Sequence, residues 1–342
     1  MNSLPQATSH KFSLIIVNYG SAHLLAENLA KLNLGPVNGS VVVVDNYTTT
    51  AERTAVADLA SDRHWDLVAL DRNYGFGVGV NEGVNAAIAA GSRTVAVLNP
   101  DASISAADLQ LMVHAVEADP TLMVSPLIRT SSGTIWFDGM ELFMDSGEVA
   151  SRRRPVMPAG PRKPWLSGAC FAMSVELWNA VGGFDPDYFL YWEDVDLSHR
   201  VVNHGGHLTV LENALAVHDS GGTQTAIRGG GTKSESYYFH NIRNRLVYAA
   251  KHLEGKQLRK WIYATPRVSY QILLGGGRRQ LISSPAPLRA YVKGIIYGYA
   301  LMIRLRRVKA SAQYSTRVAA GRDRKVPMAQ AVIRGTNERT KP

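Results

Sequence analysis

The sequence predicts an α/β fold built on a parallel, doubly wound sheet, and three observations point to it. From residue 12 to residue 118, short apolar runs alternate with segments whose apolar residues recur at helical spacing. The apolar runs end one after another on polar or acidic residues. Apolar residues make up 46% of the 342 residues, enough for a sizeable core.

Residues 12–17 (FSLIIV) are an apolar run bounded by polar residues, which predicts a buried strand. Residues 21–33 carry the helical period, with Ser21 as N-cap. Strand 41–44, helix 51–61, strand 67–70, helix 78–90, strand 94–98 and helix 105–118 follow. This β-α order gives parallel strands covered on both faces. Ligands of such sheets bind beyond the carboxyl ends of the strands, here after Val17, Val44, Leu70 and Leu98. Residues 126–164, rich in Gly and Pro and ending in SRRRPVMPAGPRKP, predict a hairpin or irregular sheet and then a mobile loop. Helices at 174–181 and 194–204, a strand at 207–211 and a loop at 218–232 come next. Residues 233–253, 256–273 and 287–308 predict three more helices, ahead of a disordered tail.

The charge is divided. Residues 1–225 carry 13 Lys and Arg against 24 Asp and Glu, and residues 226–342 carry 24 against 4, so a body of net −11 precedes a segment of net +20. A basic segment of this kind suits nucleic acid, anionic lipid or a phosphorylated substrate. One cysteine, Cys170, excludes an internal disulfide framework. The N-terminus lacks the apolar core of a secretory signal, and no apolar stretch is long enough to span a bilayer, so a cytoplasmic protein is expected.

Asn18-Tyr19 follows the first strand and Asp45-Asn46 the second. Asp71-Arg72-Asn73-Tyr74-Gly75-Phe76-Gly77 follows the third, and Asn99-Pro100-Asp101 the fourth. One such end reads equally well as a helix cap; four at one sheet edge predict a polar ligand site. Carboxylates accept from base N–H groups and ribose hydroxyls, and Arg and glycines suit phosphates. Asp101 offers the hard oxygen that Mg²⁺ or Mn²⁺ takes beside the oxygens of a nucleoside diphosphate, and it also fits a cap for the next helix.

The densest acidic cluster is Glu193, Asp194 and Asp196, directly after the aromatic run 188–192. It reads either as a helix start, whose dipole favours acids, or as a general base in an aromatic-walled pocket. Trp165-Leu166-Ser167-Gly168-Ala169-Cys170 sets small residues after a Trp, which permits close approach to a ligand or a tightly packed strand. His218, following a strand, is either structural or a metal ligand.

With these motifs in order, the chain resembles the family 2 inverting glycosyltransferases of the GT-A fold, and among them the bacterial rhamnosyltransferase branch. The resemblance covers about residues 12–250. It rests on IIVNYGS (15–21), VVVVDN (41–46), RNYGFGVGVNEG (72–83), LNPD (98–101), WLSGACFAM (165–173), GGFDPDYFLYWEDVDLSHR (182–200) and His218. It implies a Rossmann-like, mostly parallel sheet; together with the charge division and the predicted elements this gives a catalytic domain over 1–225, a helical basic region over 226–310 and a disordered tail over 311–342. It implies a nucleotide-sugar donor site at Asn18, Asp45, Arg72, Asn73, Gly75, Asn81 and Asn99. Asp194 would be the base with Glu193 beside it. Asp101 and His218 would hold Mg²⁺ or Mn²⁺. Trp165, Ser167, Gly168, Trp192 and Arg243 would meet the acceptor, and Arg245 is a second candidate for its diphosphate.

The branch implies L-rhamnose from dTDP-L-rhamnose and a cell-wall or surface-polysaccharide acceptor on a polyprenyl diphosphate; UDP-galactofuranose, UDP-galactose and UDP-GlcNAc fit the same scaffold. The basic region would bind the inner face of the cell membrane, with Tyr291, Ile295, Ile296, Tyr299, Met302 and Ile303 on one apolar side. No nucleic acid is expected. Two positions depart from the pattern: Asn99 replaces the first acid of a DxD signature, and Tyr47-Thr48-Thr49-Thr50 replaces small residues and an acid.

Two other readings compete. A nicotinamide oxidoreductase would use the glycines from Gly75, but they follow the third strand, and Val80 or Glu82 occupies the last glycine position of G-x-G-x-x-G. A non-enzymatic protein binding anionic lipid or nucleic acid would use the basic half, and leaves the ordered acidic motifs unexplained.

Overall fold

The computed structural model describes residues 12–29, 32–218 and 233–323, with side chains described as far as residue 311. The first half alternates as expected: β1 (Phe12–Asn18), α1 (Ala22–Leu29), β2 (Gly39–Asp45), α2 (Thr50–Arg63), β3 (Asp66–Ala69), α3 (Phe76–Ala89), β4 (Thr94–Leu98), β5 (Ala102–Ile104) and α4 (Ala106–Ala118). Then come β6 (Leu122–Arg129), β7 (Ile135–Phe137), β8 (Met140–Phe143), β9 (Val149–Ser151), β10 (Arg162–Trp165), β11 (Cys170–Ser174), α5 (Val175–Val181), α6 (Glu193–Asn203) and β12 (His207–His218). Four helices end the described chain: α7 (Glu235–His252), α8 (Gly255–Leu274), α9 (Arg279–Ser283) and α10 (Ala286–Asp323).

The main sheet runs β3-β2-β1-β4-β11-β6-β12-β5, with β7 on β6. β3, β2, β1 and β4 are parallel, and so are β6 and β12; β11 runs antiparallel between β4 and β6. Every residue of β1, β4 and β11 is buried, as strands covered on both faces require. The mixed topology sets the site. Because β11 is antiparallel, Cys170 pairs with Leu98, and the 166–169 loop lands at the carboxyl edge of β4. β12 ends at that edge too, with His218 opposite Ala102.

Helix starts follow from the sequence where side chains cap them. Thr49, Ser105, Ser174 and Ser234 each accept the N–H three residues on. Thr49 belongs to the stretch that departs from the family pattern, so the departure includes a helix cap. Ser21 does not cap in this way: its hydroxyl donates to Asn18 Oδ1 at 3.0 Å, and Glu52 receives the Ala22 N–H at 2.6 Å. The glycines of α3 serve packing. A Cβ on Gly79 would meet Val17 at 2.9 Å, and one on Gly83 would overlap Ile15 and Val44, so α3 lies close on β1 and β2.

The irregular sheet expected within 126–164 is β7 and a three-stranded antiparallel sheet, β10-β8-β9, and a loop over 152–161 joins β9 to β10. Arg152 and Arg153 pair with Glu141 and Asp138 at 3.1 and 2.5 Å. The loop expected at 218–232 lies outside the described residues after His218. The expected tail begins inside a helix, since α10 runs on to Asp323; residues 324–342 lie outside the described residues.

The helical region shares a core with the sheet domain. Trp192 and Val195 pack with Leu142, Val247, Tyr248 and Trp261. α7 is held from its other side by α10, where Gly294 and Gly298 let the helices approach Ile242 and Leu246. This contact divides the apolar side expected on α10. Met302 is buried and Tyr299 donates to the Ile262 carbonyl at 3.1 Å, whereas Ile296 and Ile303 face out. With Leu288 and Val292 they form an exposed stripe flanked by exposed Arg289, Lys293, Arg304 and Arg307. Among the described residues, no helix is long and apolar enough to cross a membrane.

Candidate functional site

The carboxyl ends of β1, β2 and β4 bring Asn18, Asp45 and Asn99 to one edge. Asp45 is fully buried, and Arg53, one turn into α2, donates through Nε to its Oδ2 at 2.7 Å. Arg53 also donates to the Leu70 carbonyl and lies 4.6 Å from the centre of the Tyr47 ring. The second oxygen of Asp45, Oδ1, is buried with no partner among the described residues. A buried acceptor left open costs about 1–3 kcal/mol, so its use by an incoming N–H group is the economical explanation. Asn18 is committed to scaffolding: Oδ1 accepts from Ser21, and Nδ2 donates to Glu52 at 3.3 Å.

The 71–77 loop is braced by amides. Asn46 Nδ2 donates to Asn73 Oδ1 and the Gly75 carbonyl, both at 3.0 Å, and its Oδ1 accepts the Tyr74 N–H. Asn73 Oδ1 also accepts the Gly75 N–H at 2.8 Å. Gly75 has φ +90° and faces the Phe189 carbonyl, which leaves no room for a Cβ. Arg72 is exposed and lies 4.6 Å above the Tyr74 ring. Asn81 does not open into this edge: it exchanges two hydrogen bonds with the Phe184 backbone, at 2.8 and 2.9 Å.

The Asn99 N–H donates to the Ala169 carbonyl at 2.9 Å, which binds the LNPD turn to the 166–169 loop. Beyond it, His218 Nε2 lies 3.1 Å from Asp101 Oδ1, both side chains being under a tenth exposed. The Trp136 ring centroid lies 4.4 Å from that of His218, and His218 Nδ1 has no partner among the described residues. One carboxylate oxygen and one imidazole nitrogen at this separation fit two neighbouring positions on one divalent ion. Among the described residues no third His, Cys, Asp or Glu joins them, and substrate oxygens and water can supply further ligands to such an ion.

Asp194 stands at the start of α6. Its Oδ2 accepts the Gly168 N–H at 3.0 Å and its Oδ1 the Val195 N–H at 2.8 Å. Burial pushes its carboxyl up to about 6, against those N–H groups, which hold it down. Burial and the adjacent Asp194 charge push Glu193 well above the ordinary carboxylate range, and its Oε2 has no partner among the described residues. Asp196 plays another part. Burial would raise it, but His252 at 2.6 Å and Arg200 at 2.7 Å outweigh that and hold it below its usual value. The acidic cluster is therefore at once a helix start and a pair of perturbed carboxyls.

The expected acceptor residues separate. Gly168 touches Asp194, and Ser167 accepts the Ala169 N–H at 3.2 Å. Trp165 is half-buried with its indole N–H unpartnered among the described residues. Trp192 is buried between Tyr248 and Trp261, at 5.6 and 6.2 Å. Arg243 donates to the Asp187 carbonyl at 2.9 Å and to Asn244, facing the 187–191 loop. Arg245 is wholly internal, bonded to Thr265, Trp261 and Ser146, and burial pushes its guanidinium down to about 9; it is a core residue. Sequence reasoning missed Arg53 and Trp136; Asn46 lay in a motif already marked, and Asn244 stands between the marked Arg243 and Arg245.

Residues 13–191 match the family described as glycosyl transferase family 2. A Mycobacterium tuberculosis (strain ATCC 25618 / H37Rv) protein named N-acetylglucosaminyl-diphospho-decaprenol L-rhamnosyltransferase is 28% identical over 233 residues, covering 60% of this chain and 75% of that protein. Among solved structures, the mannosyltransferase PcManGT from Pyrobaculum calidifontis in complex with GDP-Man and Mn²⁺ aligns with a TM-score of 0.50 and 19% identity, covering 90% of this chain and 88% of that one. GalNAc-T7 with UDP, GalNAc and Mn²⁺ aligns with a TM-score of 0.50 and 15% identity, over 61% of this chain but only 44% of that one. The two structures share the fold. The family match takes in the strand-end motifs and the loop that leads into α6, over more than half of the chain, and this chain belongs to glycosyl transferase family 2.

Proposed function

We propose that this chain transfers L-rhamnose from dTDP-L-rhamnose, with inversion, to a cell-wall or surface-polysaccharide acceptor carried on a polyprenyl diphosphate. The observation that carries the reading is Asp194: a carboxylate aimed by two backbone N–H groups and poised near pH 6, at the edge that also holds Asp45 and the Asp101–His218 pair. The relative named as a decaprenyl-diphosphate-linked rhamnosyltransferase supports the choice of sugar and acceptor.

In this mechanism Asp45 Oδ1 accepts an N–H of the nucleobase. Asp101 and His218 would hold Mg²⁺ or Mn²⁺, which would neutralise charge on the leaving diphosphate. Asp194 removes the proton from the acceptor hydroxyl as its oxygen attacks the anomeric carbon, and the nucleoside diphosphate leaves from the opposite face. Glu193 sits beside the base, where burial and the Asp194 charge both favour its protonated form.

The acceptor lipid implies work at a membrane surface, at the inner face of the cell membrane. The outward stripe of α10 and its cations support peripheral attachment there. The ordered acidic site favours the enzyme over a non-catalytic lipid or nucleic-acid binder. A donor panel tests the reading: dTDP-L-rhamnose, UDP-galactofuranose, UDP-galactose and UDP-GlcNAc, with GlcNAc-diphosphodecaprenol as acceptor, with and without Mn²⁺. Metal-dependent transfer from dTDP-L-rhamnose is expected. Transfer only from a UDP-sugar overturns the sugar assignment, and no transfer or binding with any donor overturns the whole reading.

A further inference from the structure

Tyr191 and Trp192, the two residues before Glu193 and Asp194, both have left-handed backbone, with φ of 64° and 75°. Among the described residues only two other non-glycine positions have positive φ, Asn38 and His64, and those two are not adjacent. Bulky aromatic residues persist in this region only where their surroundings over-determine it. Trp192 is also the N-cap of α6 and supplies no side-chain cap, so the turn does not hold itself.

The restraint arrives from α7. Asn244 is fully buried, and its Nδ2 donates to the Leu190 carbonyl at 2.9 Å and the Tyr191 carbonyl at 2.7 Å. Its Oδ1 accepts from Arg243 Nη1, which also donates to the Asp187 carbonyl at 2.9 Å. Both hydrogens and the oxygen of the carboxamide are thus used, and rotating either carbonyl away would strand a buried donor. On its other side the turn is fixed by the Phe76 N–H, which donates to the Phe189 carbonyl at 3.0 Å. The turn is held between the 71–77 loop and α7.

We propose that Asn244 is a positioning residue: its carboxamide fixes the left-handed Tyr191–Trp192 turn and so the direction in which Asp194 meets Gly168 and the acceptor hydroxyl. The basic C-terminal region then supplies part of the transfer apparatus, through α7, in addition to any docking surface. The proposal rests on Asp194 acting as the base. Without the clamp, the start of α6 loosens, and both the burial that raises the Asp194 carboxyl and the N–H groups that hold it down change.

The test uses the full chain with dTDP-L-rhamnose and GlcNAc-diphosphodecaprenol, and two variants. Asn244→Asp is isosteric and turns an acceptor toward two carbonyls; Asn244→Ala removes the amide. Both should lower kcat at least about tenfold, leave the donor KM within about twofold, and displace the acid limb of kcat from its wild-type position. Amide exchange at Gly168 and Val195 should quicken, while exchange in the rest of α6 and α7 stays as in the wild type. Wild-type kcat and exchange in Asn244→Asp overturn the proposal, as does faster exchange spread through α6 and α7, which marks a merely structural role. The exchange measurement needs neither sugar nor lipid, so a wild type inactive with this substrate pair counts against the proposed function alone.

Discussion

The Gly168 N–H donates to Asp194 Oδ2 at 3.0 Å, across 26 residues of chain. Two motifs that are separate in sequence thereby make one group, and its charge state sets the pH at which it works. A base must be deprotonated to accept, and burial places the Asp194 carboxyl at about 6. Transfer should therefore rise with pH through about 6 and level off above it. Initial rates at saturating donor from pH 5 to pH 8 check this; a rate flat across that range removes Asp194 from the role.

Asp194→Asn should separate turnover from stability. The folded carboxyl titrates above the unfolded value, so its stabilising contribution is full below the unfolded pKa and is lost as pH rises through about 6. At pH 8 the wild type buries a charge that Asn does not carry. The variant should be more stable there by up to about 3 kcal/mol, and no more stable near pH 4. Turnover should fall at least about a hundredfold, with donor binding retained. Denaturant unfolding at both pH values and calorimetric donor titration read the two effects.

Arg53→Ala should cost both stability and donor affinity. Arg53 is the partner of buried Asp45, and removing it strands a carboxylate whose side chain is 1% exposed. Breaking one side of such a pair costs on the order of 3 kcal/mol. Because Arg53 itself is about a third exposed, a loss near 2 kcal/mol is expected. Arg53→Lys keeps the charge but not the reach to the Leu70 carbonyl, so it should restore only part of the loss. Unchanged unfolding in Arg53→Ala rejects the account.

The strand ends were legible because each lies beside the run that buries it: once β1, β2 and β4 are parallel, Asn18, Asp45 and Asn99 must share an edge. The acid pair was legible for the same local reason. Arg53 was not, because its contact with Asp45 depends on how α2 packs. Asn244 stands between the marked Arg243 and Arg245, but its task was hidden further: an Asn inside a helix carries no periodic signal, and its partners Leu190 and Tyr191 lie 54 and 53 residues away. Asn81 and Trp192 are motif residues whose contacts lie within the scaffold. The apolar side of α10 was misassigned because two apolar faces flank one helix, and only the contact with α7 decides which is buried.

Asp101→Ala should abolish the stabilisation that Mn²⁺ confers in the presence of dTDP, and His218→Ala should reduce it. The two side chains approach to 3.1 Å, close enough to share one ion. Thermal unfolding with Mn²⁺ and dTDP, alone and together, measures this without turnover. Equal increments in wild type and both variants would remove the metal assignment.

Membrane attachment makes a prediction about one face only. Leu288, Val292 and Ile296 are spaced by four residues, and Ile303 follows Ile296 by seven, so all four lie along one side of α10. Ile296 is 60% exposed and Ile303 48%, an unusual placement for isoleucine unless something apolar covers it. Ile296→Glu with Ile303→Glu adds two negative charges and removes two apolar anchors without touching Met302, Gly294 or Gly298, which face the protein interior. The double variant should keep the wild-type melting temperature and lose at least about tenfold in partitioning onto vesicles containing phosphatidylserine. Arg304→Ala with Arg307→Ala should weaken binding to those vesicles by a smaller factor, and that difference should shrink in high salt, where the anionic surface is screened. Pelleting equal to wild type in the isoleucine variant would show that this face is not the one that meets lipid.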